Sequence, residues 1–387
     1  MVRGVGDFVA DPSVIRRLPL AQPSIGNRER ELVAQVLGGD TLALGPFARA
    51  FEEAVARVAG RRFGVACSSG TAGLHLAVRA LGIRDGDEVI TTPFSFVASA
   101  NCLLYERARP VFIDIEEETL GLDPALVESA AGHRTRGILP VHAFGRACRI
   151  DDIATIADDR GWVLIEDACE AFGSRGPHGS LGSYGAASVF AFYPNKQITT
   201  GEGGVVVTDD PELAATIRSL GNQGRDEDQT WLRHVRLGYN YRLDEMSAAL
   251  GVGQLERIEE LRAGRARVVR AYAGALADRD WVQLPSQTTD ETVDWFVYVV
   301  RLDSSIDRSR LMMDLDAVGV PSRPYFIPLH LQPFYRKTLG HRPGDFPVTE
   351  RVAASTLALP FSARLADDDV AYVGEVLIAA VERQLGG

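Results

Sequence analysis

A lysine occupies an unusual place in the sequence, between an apolar run and a glycine-rich segment. Lys196 follows residues 189–192, which are Val, Phe, Ala and Phe, and it precedes Gly201, Gly203 and Gly204. The apolar run predicts a buried strand, and the glycines allow the backbone to come close to another group. Most lysines in turns are solvated. In a partly desolvated pocket, however, a lysine amine acts as a nucleophile towards a carbonyl carbon.

A carboxylate, Asp167, lies just after another apolar run, residues 162–165, and small residues follow it. The ends of parallel strands form the ligand-binding edge of an open α/β sheet, so we expect this carboxylate at the rim of a sheet. An aspartate in such a place also caps helices. The functional interpretation is a carboxylate that pairs with a buried cationic nitrogen, because each ion reduces the desolvation cost of the other.

Three small hydroxyl residues and a glycine, Ser68, Ser69, Gly70 and Thr71, lead from a predicted strand into a predicted helix. Free N–H groups at a helix N-terminus bind anions, although Ser and Thr are also ordinary helix caps. The anion site, the carboxylate and the lysine together match the three contacts that pyridoxal 5′-phosphate (PLP) requires. Its phosphate needs N–H groups and hydroxyls, its ring nitrogen needs a carboxylate, and its aldehyde needs an amine.

The elements that must position these groups follow an α/β rhythm. Continuous apolar runs alternate with helical patterns, which predicts a mostly parallel sheet covered by helices on both faces. The predicted strands are 64–67, 88–91, 110–115, 137–142, 162–165, 188–192 and 205–208. A long helical region is expected over 244–277, followed by a strand at 292–302 and helices at 309–320, 349–357 and 367–385. We therefore expect a large PLP-binding α/β domain over 1–264, which includes an N-terminal segment, and a small C-terminal α+β domain over 265–387.

Composition excludes several classes of function. The 387 residues carry a formal net charge of −11, which argues against binding to nucleic acid or to an anionic membrane surface. The four cysteines form no C-x-x-C or Cys/His cluster, so neither a metal site nor a disulfide framework is expected. No signal peptide and no apolar run of about 18 residues is visible. These features predict a cytoplasmic protein.

The motifs are similar to those of the sugar aminotransferases of the DegT/DnrJ/EryC1/StrS family, over nearly the whole chain. The similarity begins at LPLAQPSIGN (18–27) and continues through SSGTAGLHLAVRALGI, GDEVITTPFSFVASAN, IEDACEAFGS, AFYPNKQITTGEGG and LGYNYRLDEMSAALGVGQLERI. It ends at SRPYFIPLHLQPFY (322–335), which resembles members that act on nucleotide-linked 4-keto-6-deoxyhexoses, including perosamine synthases. The resemblance implies the PLP-dependent transferase type I (aspartate aminotransferase) fold.

The resemblance also implies a role for individual residues. Lys196 matches the Schiff-base lysine and Asp167 the partner of the ring nitrogen. Gly70 and Thr71, next to Ser69, match the phosphate loop. Phe96 matches the aromatic residue that stacks on the cofactor ring, although without the family it would be read as an ordinary core residue.

Family members share their active sites across a homodimer, and this implies contacts from the partner subunit. The segment GYNYR (238–242) would bring Asn240 or Arg242 to the phosphate or substrate of the neighbouring site. His330 lies where the family approaches the substrate. Arg242 and Arg323 are further candidates for contact with a substrate pyrophosphate. His142 ends a predicted strand near the cofactor and receives no role.

Two positions depart from the family pattern. Many relatives have a serine five residues before the lysine, where it donates to the phosphate, but this chain has Ala191. Ser188 is the candidate replacement. Relatives carry Gln or His three residues after the aspartate, whereas this chain has Glu170. A second carboxylate near the ring would alter its protonation or contact the incoming amine.

The expected activity is a two-stage transamination from L-glutamate to the keto group of a nucleoside-diphosphate keto-deoxysugar. A transaminase of a cyclitol, or of a ring ketone of the aminohydroxybenzoate type, stays open as an alternative. A PLP-dependent sugar dehydratase is disfavoured, because the dehydrating relatives have histidine at the position of Lys196. The non-enzymatic alternative is a cofactor-free binding or scaffold protein.

Overall fold

The structure is a computed structural model that describes residues 16–226, 232–285 and 291–386. Its main feature is a seven-stranded sheet with strand order β1-β7-β6-β5-β4-β2-β3. Only β7 runs antiparallel to its neighbours, so the predicted mostly parallel sheet is confirmed. The strands are β1 (Phe63–Cys67), β2 (Glu88–Thr91), β3 (Arg109–Phe112), β4 (Thr135–Leu139), β5 (Val163–Asp167), β6 (Ala187–Ala191) and β7 (Gly204–Thr208).

Helices cover both faces of this sheet, and β6 shows why its residues are apolar throughout. Side chains alternate along a strand, so Val189 packs into the cluster that contains Leu74 of one layer, while Phe190 packs with Phe51 of the other. The helices before and around the sheet are α1 (Asn27–Leu37), α2 (Pro46–Ala59), α3 (Gly70–Ala80), α4 (Ala98–Tyr105), α5 (Pro124–Ala130), α6 (Ile150–Arg160), α7 (Pro211–Gly221), α8 (Glu245–Glu256) and α9 (Ile258–Ala275).

The C-terminal part builds a second core around a three-stranded antiparallel sheet with order β10-β9-β8. Its elements are β8 (Val282–Gln283), β9 (Tyr298–Leu302), α10 (Arg308–Ala317), α11 (Pro333–Leu339), α12 (Pro347–Ser355), β10 (Thr356–Leu359) and α13 (Asp367–Leu385). Helix α9 is shared, because Leu261 packs into a core of the large sheet while Val268 and Tyr272 pack into the C-terminal core. The division after residue 264 stays a prediction, and it falls inside this helix.

Three predicted elements differ from the structure. The helical region expected over 244–277 is two helices, separated at Arg257. The strand expected over 292–302 begins only at Tyr298, because main-chain carbonyls at 294–296 accept hydrogen bonds from side chains instead of from a neighbouring strand. The helix expected over 349–357 ends at Ser355, and the next residue starts β10. Within the described ranges, no helix is long and apolar enough to cross a bilayer.

A buried ion pair fixes the loop that follows β5. Glu166 and His142 are both fully buried, and His142 Nε2 lies 3.0 Å from Glu166 Oε2. The carboxylate also accepts hydrogen bonds from the N–H groups of Gly182, Tyr184 and Gly185, each at 2.8 Å. Burial alone would raise the pKa of Glu166, but the hydrogen bond and charge of His142 outweigh burial and lower it. Burial opposes charge on the imidazole as well, yet Cys148 and Glu166 raise the pKa of His142.

We predict that Glu166→Gln costs about 3–5 kcal/mol of unfolding free energy at neutral pH, since it removes one partner of a buried pair. In the wild type the stabilising contribution is complete above the ordinary carboxyl pKa of about 4.3 and is lost as the pH falls through the lower folded value. The variant should therefore lose less stability on acidification. Urea titrations at several pH values measure both effects.

The matched control is Glu128→Gln, the same change in an exposed carboxylate that pairs with Arg160. Exposed pairs contribute about 0–1 kcal/mol, so this variant should unfold close to the wild type. Equal costs for the two substitutions would contradict the role assigned to the buried pair.

Candidate active site

The lysine after β6 lies in a partly buried pocket rather than on a solvated turn. Its side chain is 12% exposed, and Nζ lies 3.6 Å from Glu170 Oε1. The same Nζ lies 3.9 Å from the centre of the Phe296 ring, where a cation is attracted to the ring face. Lys196 is thus held between a carboxylate and an aromatic ring. Phe296 has no counterpart among the residues that the sequence singled out.

The carboxylate beside Lys196 is itself fixed by the backbone. Glu170 Oε2 accepts a hydrogen bond from the N–H of Phe144 at 2.9 Å. Phe144 adopts a φ of 60°, which bulky L-residues rarely adopt and which has an energetic cost. Burial raises the pKa of Glu170, while Lys196 and the Phe144 N–H oppose that rise. A strained turn therefore aims a donor at the carboxylate and keeps its other oxygen on the lysine side.

Asp167 is a buried carboxylate that has no cationic partner among the described residues. Its Oδ2 accepts from Ser99 Oγ at 2.6 Å, and its Oδ1 accepts from the N–H of Cys169 at 3.2 Å. Ser99 Oγ lies in turn 2.6 Å from Ser95 Oγ. Among the described residues, no lysine, arginine or histidine pairs with this carboxylate. Because burying an unpaired charge is costly, the arrangement fits a ligand that brings a cationic nitrogen to Asp167.

The N-terminus of α3 forms the predicted anion cradle. Ser69 caps the helix by accepting a hydrogen bond from the N–H of Ala72 at 3.1 Å. In the part of the chain that the structure describes, the N–H groups of Gly70 and Thr71 have no hydrogen-bond partner. They remain available to a phosphate group.

The cradle at the start of α3 packs closely against the turn that follows Asp167. A Cβ on Gly70 would lie 2.6 Å from Ala191 Cβ and 3.0 Å from Cys169 Sγ, so only glycine fits. Ala191 therefore faces the cradle from β6. The side chain at the position where relatives carry a serine does point towards the expected phosphate.

Phe96 lies in the loop before α4, one residue after Ser95, and its ring is 62% exposed. A large aromatic side chain beside a buried polar cluster is suited to cover a flat ligand. Ser99 belongs to the same loop and helix start, and its contact with Asp167 was not predicted. The segment SFVASAN, which the sequence singled out for Phe96 alone, contains that signal.

Two predicted site residues are corrected by the structure. Ser188 is fully buried and donates its hydroxyl to Glu166 Oε1 at 2.8 Å, on the face of β6 opposite to Ala191. It therefore does not replace the phosphate-binding serine. His330 is also fully buried, with Nε2 3.0 Å from Glu350 Oε1 and its ring against Phe346. The imidazole is enclosed by its own subunit, so it does not contact a substrate.

The remaining candidates do not meet Lys196 within one chain. Asn240 is exposed and pairs with Asn222 through the backbone. Arg242 Nη1 donates to Asn222 Oδ1 at 2.9 Å, and the exposed Arg323 donates to the carbonyl of Ser322 at 2.7 Å. The contribution of Asn240 or Arg242 to a neighbouring site, and the contact of Arg323 with a substrate, stay predictions.

The segment that carries Asn240 is anchored by the tyrosines on either side of it. Tyr239 and Tyr241 stack on each other with ring centres 5.0 Å apart. Tyr239 donates to Glu106 Oε1 at 3.0 Å, and the carbonyl of Tyr241 accepts from the N–H of Ser68 at 2.8 Å. The alternation leaves Asn240 and Arg242 facing away from this cluster.

The types of basic residue in the chain also indicate Lys196 as the nucleophilic amine. The chain contains two lysines, Lys196 and Lys337, and all its other permanently charged basic side chains are arginines. Arginine does not lose its proton in proteins, so it is a poor nucleophile. Lys337 is exposed on α11, which leaves Lys196 as the lysine in a pocket. The described residues contain no group of three His, Cys, Asp or Glu side chains placed to hold a metal ion.

Comparison with known proteins identifies the family of the chain. Residues 23–378 match the DegT/DnrJ/EryC1/StrS aminotransferase family. The GDP-perosamine synthase of Caulobacter vibrioides is 37% identical over 377 residues, which cover 96% of this chain and 100% of that protein.

Solved structures of sugar aminotransferases have the same fold. DesI with its TDP-sugar product is 34% identical, with a TM-score of 0.88 and coverage of 96% of this chain and 95% of that chain. DesV of S. venezuelae, in complex with a ketimine intermediate, is 34% identical, with a TM-score of 0.86 and coverage of 92% and 95%. The chain therefore belongs to the DegT/DnrJ/EryC1/StrS aminotransferase family and is a PLP-dependent aminotransferase with the type I fold.

Proposed function

We propose that this enzyme transfers the amino group of L-glutamate to the keto group of a nucleoside-diphosphate keto-deoxysugar, with 2-oxoglutarate as the second product. A 4-keto-6-deoxyhexose is the favoured acceptor. Support comes from the similarity to a GDP-perosamine synthase over nearly the full length of both chains. The similarity to DesI, solved with a TDP-sugar product, supports the same acceptor class.

The observation that carries the proposal is the Lys196 amine between Glu170 and Phe296, together with the buried Asp167 carboxylate, which has no cationic partner among the described residues. When bound, PLP supplies an aldehyde that carries amino groups and a ring that takes up electrons. Asp167 would hold a proton on the ring nitrogen, and Ser99 keeps that carboxylate oriented.

The other residues divide the tasks of binding and proton transfer. Ser69, Gly70 and Thr71 would hold the phosphate at the N-terminus of α3. Phe96 would cover one face of the ring. The Lys196 amine would bind the aldehyde and, once displaced by the amino donor, would carry the proton at Nζ. Glu170 and Phe296, on two sides of that amine, would hold Nζ in place for the transfer.

We further propose that the active enzyme is a homodimer, in which Asn240 or Arg242 would complete the partner's site, and that Arg323 is a further substrate contact. Asn240 would reach the phosphate of the cofactor, and the two arginines the pyrophosphate of the substrate. The exposure of Asn240 and Arg323 suits such contacts. We propose a cytoplasmic location as well, which the four free cysteines support.

The proposed function predicts a spectral change in the purified, PLP-loaded protein. L-Glutamate should remove the long-wavelength absorbance of the lysine-bound cofactor, and a nucleotide 4-keto-6-deoxyhexose should restore it while an amino sugar forms. A free cyclitol ketone should not restore it. Restoration by the cyclitol but not by the nucleotide sugar would contradict the proposed acceptor.

Lys196→Ala should abolish turnover, since the variant has neither the amine that binds the aldehyde nor the group that moves the proton. Positioned acid–base groups alone are worth about 10²–10⁴-fold in rate. Borohydride reduction followed by peptide mass analysis should place the cofactor on Lys196 in the wild type. Lys337→Ala is the matched control and should retain both the label and full activity. A label on Lys337, or steady-state turnover by Lys196→Ala, would refute the assignment.

Ala191→Ser should tighten cofactor retention about 10-fold, because it adds a hydroxyl donor beside the phosphate cradle. A hydrogen bond to a charged group is worth about 1.5–3 kcal/mol. The measurement is the rate at which PLP dissociates from the protein after dilution has lowered the concentration of free PLP. Ser188→Ala, whose hydroxyl faces Glu166, should leave that rate unchanged. The reverse pattern would show that Ser188, not position 191, faces the phosphate.

A further inference from the structure

A buried arginine on α9 joins the segments that hold the reactive lysine. Arg265 Nη1 donates to the carbonyl of Trp295 at 3.3 Å and to the carbonyl of Phe296 at 3.2 Å. Its Nη2 donates to the carbonyl of Lys196. One guanidinium therefore binds the main chain of both residues that form the contact between the Lys196 amine and the Phe296 ring.

The charge of this arginine is unusually costly to bury. Burial lowers the pKa of Arg265 to about 10, with Asp294 opposing the shift, so the side chain stays charged at neutral pH. No carboxylate of the described residues forms an ion pair with it, and Nε has no hydrogen-bond partner. Asp294, the carboxylate whose charge acts on Arg265, pairs instead with Arg262 at 2.6 Å. A well-packed apolar residue would give comparable stability without that cost.

A second side chain ties the same segments together. Gln197 Nε2 donates to the carbonyl of Glu170 at 2.6 Å and to the carbonyl of Asp294 at 2.7 Å. The hydrogen bonds of Arg265 and Gln197 therefore link the main chain at three residues: Lys196, Glu170, whose carboxylate lies beside the amine, and Phe296, whose ring lies beside it. Displacement of residues 294–296 from Lys196 would separate Nζ from the ring.

We infer that Arg265 is a positioning residue for Lys196. Its guanidinium holds the lysine backbone against residues 295 and 296, so that the amine stays between the Phe296 ring and the Glu170 carboxylate. Arg265 acts through these two neighbours. The inference rests on the role proposed above for Lys196.

A purely structural role predicts a different outcome from a positioning role. If Arg265 only stabilises the contact between α9 and the loops, a variant has fewer folded or loaded sites, but each loaded site works normally. If Arg265 positions the amine, each loaded site is impaired. Arg265→Lys keeps the positive charge but cannot donate to three carbonyls from one planar group.

The experiment uses PLP-loaded Arg265→Lys with Arg267→Lys as the matched control. Arg267 lies two residues later on α9 and binds the carbonyl of Leu365 and the carboxylate of Asp367, not Lys196 or residues 294–296. Loaded sites are counted by borohydride labelling of Lys196. Two properties are then measured per loaded site: the rate of absorbance loss on addition of L-glutamate, and the pH midpoint of the absorbance change without substrate.

We expect the rate in Arg265→Lys to fall roughly 10–100-fold, since misplacement by about 1 Å can cost 100-fold. The pH midpoint should also fall, because the protonated nitrogen at Lys196 loses the carboxylate and the ring that stabilise it. Arg267→Lys should stay within about three-fold of the wild-type rate, with an unchanged midpoint. A wild-type rate and midpoint per loaded site in Arg265→Lys would overturn the inference.

Phe296→Leu provides a second test in case Arg265→Lys does not fold. The substitution keeps a large apolar side chain but removes the ring, so the pH midpoint should move in the same direction. An unchanged midpoint would overturn the inference. Labelling and titration need only PLP, so they remain informative if L-glutamate is not the donor. Failure of wild-type protein to react with L-glutamate would refute the proposed donor alone.

Discussion

Two adjacent carboxylates at the end of β5, Glu166 and Asp167, are buried on opposite faces of the sheet, and the cost of burying them constrains the whole site. Glu166 has a cationic histidine, a serine hydroxyl and three N–H groups around it, so its charge is compensated within the protein. Asp167 has a hydroxyl and an N–H group but no described cation. The first carboxylate fixes the strand and the loop behind it. The second is therefore held rigidly, and a ligand with a cationic nitrogen would compensate its charge.

The position of Lys196 is set by residues distant in sequence. Glu170 comes from the turn after β5, Phe296 from the segment before β9, and Arg265 from α9. Each contact alone is a modest interaction in a partly buried setting. Their combination sets the amine in one place because every partner is also bound through its main chain. The predicted boundary between domains lies next to Arg265, so the reactive amine depends on both cores of the molecule.

The sequence predicts the positions of residues that local secondary structure sets. It does not predict contacts between segments that are distant in sequence. Strand ends and helix starts are visible in the sequence as apolar runs and caps. These patterns were enough to predict that Lys196 follows β6, that Asp167 lies at the end of β5 and where α3 begins. Ser188 could have been excluded from the sequence, because it lies three positions before residue 191, and an odd offset along a strand places the two side chains on opposite faces. The enclosure of His330 by Phe346 and Glu350 has no local pattern. The sequence also gave no sign of the role of Phe296. Its apolar pattern predicts that the segment before β9 is part of the strand, whereas the carbonyls there accept hydrogen bonds from Arg265 of α9.

The phosphate cradle shows how the departure from the family pattern is tolerated. Gly70 and Ala191 are both small, and a Cβ on Gly70 would collide with Ala191, so α3 begins in direct contact with β6. The free N–H groups of Gly70 and Thr71 are fixed by the helix and need no side-chain ordering when an anion binds. A serine hydroxyl at 191 would add a donor but would also have to be ordered. In this chain the backbone N–H groups at the start of α3 would therefore supply most of the affinity for an anion. A serine hydroxyl at position 191 would add to a site that the backbone already forms.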